Sequence, residues 1–182
     1  MTERRVLITG DFEIPDYLKT DHVKHLKAPL SNNEIIKHIK GVQHYIVGGP
    51  EFIDDKIMSE AQQLKQIVVM GTGISSFIDL EAAKKRQIKV DNTPGINSDS
   101  VAEFALASII FNLANGFHSR DMLMKGVWYQ KPHKTLSEVK LGIIGLGNIG
   151  AKLIRKIQAI SNSTELFYFS KNKNVSEPYC QN

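Results

Sequence analysis

Apolar and polar residues alternate in short blocks along all 182 residues. Residues 5–9, 43–47, 66–70 and 88–90 are brief apolar or β-branched runs, each closed by glycine or polar residues, and the pattern predicts strands. Between them lie stretches of helical length over residues 31–40, 54–62 and 79–86. Ser31 and Glu34 stand three apart, the spacing of a capping box that starts the first of these helices. Residues 15–27 predict a helix or a helix followed by a loop. Strands and helices alternating at this interval imply an α/β fold with a doubly wound parallel sheet.

A second block follows. Residues 100–116 form the longest predicted helix, with Ser100 and Glu103 as a capping box and Gly116 as its stop. Its apolar residues leave almost no polar face, so it should be buried on several sides. Packing inside one lobe and packing at a domain or subunit interface both satisfy that requirement. Residues 120–125 predict a short helix and residues 129–138 a polar connection. Strands are then expected over 141–144 and 166–169, with a helix over 151–159 between them.

Composition is that of an ordinary globular chain, 42% apolar and 23% charged. The formal charge of +4 invites a nucleic-acid reading. The lysines are scattered with acids between them, so a solvated surface explains them better and no nucleic-acid partner is expected. A single cysteine, Cys180, excludes an internal disulfide and fits a reducing compartment. The chain begins Met-Thr-Glu-Arg-Arg, and no apolar run approaches a membrane span, so a cytoplasmic protein without a membrane partner is expected. Asp21, His22 and His25 have the spacing of a metal-ligand pair on a helix but no third ligand, and an exposed helical surface is the simpler reading.

The chemistry concentrates in residues 139–170. Gly145, Gly147 and Gly150 stand at G-x-G-x-x-G spacing between a predicted strand and a predicted helix, with a second strand after it. Gly145 permits a tight turn, Gly147 has no side chain to block a pyrophosphate, and Gly150 allows close helix packing. The helix start directs free N–H groups and a partial positive charge at the phosphates. Dinucleotide binding follows from this order of elements.

Six separated motifs then occur in one order: Gly71-Thr72-Gly73, the run over residues 78–83, Asn92-Thr93-Pro94-Gly95, Val101-Ala102-Glu103, the set Arg120, Gly126 and Trp128, and residues 145–150. Together they resemble the NAD(P)-dependent D-isomer-specific 2-hydroxyacid dehydrogenases. The resemblance implies a flavodoxin-like substrate lobe over residues 1–96. After it comes the first part of a Rossmann cofactor lobe over residues 97–182. It implies that Thr72 and Gly73 hold the carboxylate of a small 2-keto or 2-hydroxy acid. It places Thr72, Val101, Gly145, Gly147, Asn148, Ile149 and Gly150 at the cofactor. It also implies a homodimer formed through the 100–116 helix.

The sequence departs from that family in three places. Ser75-Ser76-Phe77 occupies a turn where many members carry an aspartate. The acid expected at the end of the second cofactor strand, where it would hold the ribose 2′-OH, is replaced by Ser170-Lys171-Asn172-Lys173. A hydroxyl followed by cations suits a 2′-phosphate, so NAD or NADP is expected, with NADP slightly preferred. Solvated surface charges explain Lys171 and Lys173 equally well. Finally, the arginine, glutamate and histidine that family members use in catalysis have no counterpart within these 182 residues. The expectation is therefore the front portion of an oxidoreductase, with no catalytic residue of its own and not competent alone. The alternative is a non-catalytic module, derived from that family, that binds a nucleotide or a partner.

Overall fold

The computed structural model describes residues 5–171, which fall into two compact units meeting in sequence between Ile96 and Asn97. The first unit contains β1 (Val6–Thr9), β2 (Val23–Leu26), α1 (Asn32–Ile39), β3 (His44–Val47), α2 (Asp55–Glu60), β4 (Gln66–Val69), α3 (Leu80–Lys85) and β5 (Lys89–Asn92). All five strands pair in parallel in the order β2-β1-β3-β4-β5. This is the doubly wound arrangement of an α/β protein, and the order reverses between β1 and β3. Leu7, Tyr45 and Ile67 are in register across the sheet and fully buried. Ile35, Ile39, Ile57 and Ala83 of the three helices belong to the same core. The Ser31–Glu34 capping box is formed, and Asp54 and Asp79 cap α2 and α3 through Ile57 and Ala82 N–H.

The expected helix over residues 15–27 is instead a single 3-10 turn, Asp16–Leu18, followed by β2. Val-Lys-His-Leu is half-buried along its whole length, as an edge strand with one paired side is, and so lacks the apolar run that marks its neighbours. His25 is thus on a strand, where its ring Nε2–H donates to the Gly10 carbonyl at 3.1 Å. His22 lies in the turn just before β2 and His25 on the strand, so the two are not a helical pair. Among the described residues no group of three His, Cys, Asp or Glu is placed to hold a metal.

The second unit contains α4 (Ser98–Leu113), α5 (Gly116–Met124), β6 (Lys140–Ile144), α6 (Asn148–Ile160) and β7 (Glu165–Phe169), with β6 and β7 paired in parallel. Ala102 and Leu106 of α4 pack with Leu153, Ile154 and Ile157 of α6 over Leu166 and Tyr168 of β7. Three expectations are corrected here. Ser100 does not form a capping box, because α4 already begins at Ser98 and the Ser100 hydroxyl donates to the Asn97 carbonyl at 2.9 Å. Gly116 does not stop α4, which ends at Leu113. The turn is made by Asn115 in the left-handed region, and Gly116 opens α5. Nor is α4 buried on several sides within the chain, since Phe104 is 75% exposed. Among the described residues no single helix is long and apolar enough to cross a membrane. The α4–α5 pair reaches that length only together, and it is bent by 65°.

Candidate functional site

Residues 145–150 make the turn from β6 into α6. The alternating burial of β6 and β7 sends Leu141, Ile143, Leu166 and Tyr168 towards the helices, which fixes the strand end from which the turn departs. Gly145 has φ +94, a conformation costly for any residue with a Cβ, and its N–H donates to the Phe169 carbonyl at 2.8 Å. Gly147 caps α6 without a side-chain bond, and the space where its Cβ would stand is open. Gly150 is buried, and its missing Cβ makes room for the Gly145 carbonyl and, behind it, the Ile143 side chain. The first amides of α6 have no carbonyl partners within the helix and carry the positive end of its dipole.

In front of this turn lies an open cleft of about 830 Å³. Gly145, Gly147 and Asn148 line it, and so do Ser170 and Lys171 from the end of β7. The structure therefore brings together five of the residues expected at a cofactor. Ile149 is 40% exposed and Gly150 lies beneath the turn, both outside the lining. Val101, on the first turns of α4, does not line the cleft either. Lys173 lies outside the described residues.

Two cationic lining residues escaped the sequence reading: Lys152 and Arg155 of α6. The signal was available. In a helix that begins at Asn148, positions 152 and 155 follow on the same face at steps of four and three. Lys152 pairs with Asp99 of α4, while Lys156 reaches Glu103 at 2.9 Å and Asp99 at 3.5 Å. The Lys152 ammonium holds the Asp99 carboxyl below its ordinary value, and the bond to Glu103 raises Lys156 above its own.

The turn expected at the substrate is in the first unit, after β4. The Gly71 carbonyl accepts from Thr93 N–H at 3.1 Å, Asn92 Nδ2 donates to the Thr72 carbonyl at 2.6 Å, and Gly95 N–H reaches the Thr72 hydroxyl at 3.4 Å. Two motifs twenty residues apart in sequence thus form one hydrogen-bonded loop pair. Gly71 N–H is already donated to the Val69 carbonyl. The amides left to meet a carboxylate are those of Thr72 and Gly73, both exposed. The crevice where the strand order reverses, a common ligand position in such sheets, is filled by the chain itself. The Phe12 ring occupies the space that side chains on Gly10 and Gly48 would need.

A strand, a glycine-rich turn with open space above its middle glycine, and a cation-lined cleft at a helix start make a strand–turn–helix unit of Rossmann form. The comparisons with known proteins are more specific. The profile of the D-isomer specific 2-hydroxyacid dehydrogenase catalytic domain matches residues 6–176, and the chain belongs to that family. It is 33% identical over 132 residues to the hydroxypyruvate reductase of Thermotoga maritima, covering 71% of this chain and 43% of that enzyme. A Thermus thermophilus crystal structure superposes with TM-score 0.80 at 25% identity, covering 96% of this chain and 58% of that one. The NAD+-bound 3-phosphoglycerate dehydrogenase of Entamoeba histolytica shares the fold, with TM-score 0.75 at 22% identity over 98% of this chain and 57% of that one. The chain spans less than half the length of the curated relatives it matches.

Proposed function

We propose that this chain carries the dinucleotide cleft of an oxidoreductase that moves a hydride between NAD(P) and a small 2-keto or 2-hydroxy acid. One observation carries the reading: the open space above Gly147, at the positive end of α6 and beside Lys152, Arg155 and Lys171. The residues fit a dinucleotide. Asn148 and Ile149 offer their amides to the pyrophosphate, and Gly145 and Gly150 hold the turn in shape. When bound, the nicotinamide gives or accepts the hydride. Thr72 and Gly73 present N–H groups to the substrate carboxylate.

The end of β7 supports a slight preference for NADP. Ser170 and Lys171 stand where an acid would otherwise hold a ribose 2′-OH and repel a 2′-phosphate, and Arg155 lines the same cleft. The lone Cys180 supports work in a reducing, cytoplasmic compartment. The exposed apolar side of α4 supports a homodimer.

The test is a fluorescence titration of the 182-residue chain with NADH and NADPH. Binding should be lost in Gly147→Leu, whose side chain fills the space above the turn. Undiminished binding in that variant would move the dinucleotide elsewhere and end the reading. Within the same experiment, Ser170→Asp should shift preference towards NADH.

A further inference from the structure

Lys152 faces two ways. It lies one helical turn beyond Asn148, at the start of α6, and its side chain lines the cleft, yet its ammonium is drawn aside to Asp99 of α4. We propose that Lys152 is a phosphate-gripping residue and that Asp99 competes with the dinucleotide for it. The inference rests on the cleft's being a dinucleotide site.

The surrounding charges make the exchange feasible. Asp99 and Glu103 of α4 face Lys152 and Lys156 of α6, two acids against two bases. Within this ladder the Lys152 ammonium is engaged by Asp99, so less of its charge is offered to the cleft it lines. Lys156 is not among the lining residues. It already holds Glu103 at 2.9 Å and stands 3.5 Å from Asp99, so Asp99 retains a cation when Lys152 swings away. The swing itself is cheap. The Asp99 carboxylate is 63% exposed, and ion pairs between exposed groups contribute little.

A pyrophosphate offers a stronger partner. It carries two negative charges where Asp99 has one, and the α6 amides hold it beside the lysine stem. Lys152 has three ammonium donors on a flexible stem and can follow the anion. The consequence is an internal competitor built into the apo cleft. Affinity for the dinucleotide is set by the difference between two contacts of one lysine, and weakening the Asp99 contact must strengthen the other.

The experiment is calorimetric titration of the whole chain with ADP-ribose, which carries the pyrophosphate without the nicotinamide. Asp99→Asn should tighten binding about twofold to fivefold, the range an exposed ion pair allows. Lys152→Met should weaken binding about threefold to tenfold, and in the Lys152→Met background Asp99→Asn should bring no gain. Glu103→Gln is the control for charge at a distance, since it removes an acid from the same helix without touching Lys152. If Glu103→Gln tightens binding as much as Asp99→Asn, the effect is general electrostatics and the competition is overturned. Equal binding by wild type and Lys152→Met, with binding still lost in Gly147→Leu, overturns the gripping role and leaves the dinucleotide reading intact. Absence of any Gly147-dependent binding removes both.

Discussion

The carbonyl of Gly145 occupies the space that a Cβ on Gly150 would need. The first and last glycines of the turn are therefore in contact, while the middle one, Gly147, meets open space. Gly150→Ala should push α6 away from the turn and destabilise the second unit by about 1–3 kcal/mol, the range for overpacking. Gly147→Ala should change stability by no more than a few tenths of a kcal/mol, because its φ of −92 suits any residue. Urea unfolding followed by Trp128 fluorescence and far-UV dichroism separates the two. Equal loss in both variants would contradict the contact.

Thr9 and Tyr45 share a buried hydroxyl–hydroxyl bond of 3.2 Å across β1 and β3. Burial drives the Tyr45 phenol well above its ordinary value, so it stays protonated. Tyr45→Phe should leave the Thr9 oxygen without this partner and cost about 1–2 kcal/mol. Thr9→Val in addition should recover much of that loss, since neither hydroxyl is then buried alone. A thermodynamic cycle from denaturant midpoints reads the coupling directly, and additive losses would refute it.

Much of this was readable in advance, for physical reasons. The strands at β1, β3 and β4 announce themselves because a parallel sheet covered on both faces needs unbroken apolar runs. β2 lacked that run because it is an edge, and Val23 to Leu26 carry Lys24 and His25 without penalty. The glycine positions were legible because each answers a backbone demand, such as φ +94 at Gly145. Ser170 and Lys171 could be expected at the cleft from the strand end alone, whereas Lys152 and Arg155 required the start of α6 to be known. The ends of α4 went astray because local signals gave way to tertiary ones. Glu103 is drawn to Lys156 instead of the helix cap, and the left-handed position falls on Asn115, one residue before the glycine that suggested it.

Two capping boxes should give the fold an acid-sensitive component. Hydrogen bonds from Ser31, first its hydroxyl and then its backbone N–H, hold Glu34 below the ordinary carboxyl value of 4.5. Thr135 does the same for Glu138, the backbone bond leading. A carboxyl lowered in the folded state contributes stability that is complete above its unfolded value and disappears as the pH falls through the folded one. Stability should thus decline below about pH 4.5, and Glu34→Gln should flatten that decline. The measurement is the urea midpoint as a function of pH. A Glu34→Gln curve parallel to wild type would remove the box from the explanation.

The exposed side of α4 leads to the last prediction. Ala102, Leu106, Ile109 and Leu113 turn towards α6 and the strands. Val101, Phe104, Ser108 and Phe111 recur at steps of three and four and form a stripe on the opposite side, away from that core. Phe104 is 75% exposed and Phe111 42%, with Phe117 packed edge-on against Phe111 and itself 60% exposed. Two apolar faces on one helix explain why α4 looks apolar all round, and they leave one face for a partner. A two-fold dimer pairs each stripe with its own copy, so one substitution acts twice. Phe104→Glu then brings two carboxylates together inside apolar surface. Truncating central aromatic residues of an interface typically costs about 2 kcal/mol or more, so the dimer should weaken at least about thirtyfold. Sedimentation of wild type and Phe104→Glu at micromolar concentration tests this. Dimeric wild type and monomeric Phe104→Glu with unchanged dichroism is the expected result. A wild-type chain that stays monomeric throughout that range would show that the stripe does not serve a second copy.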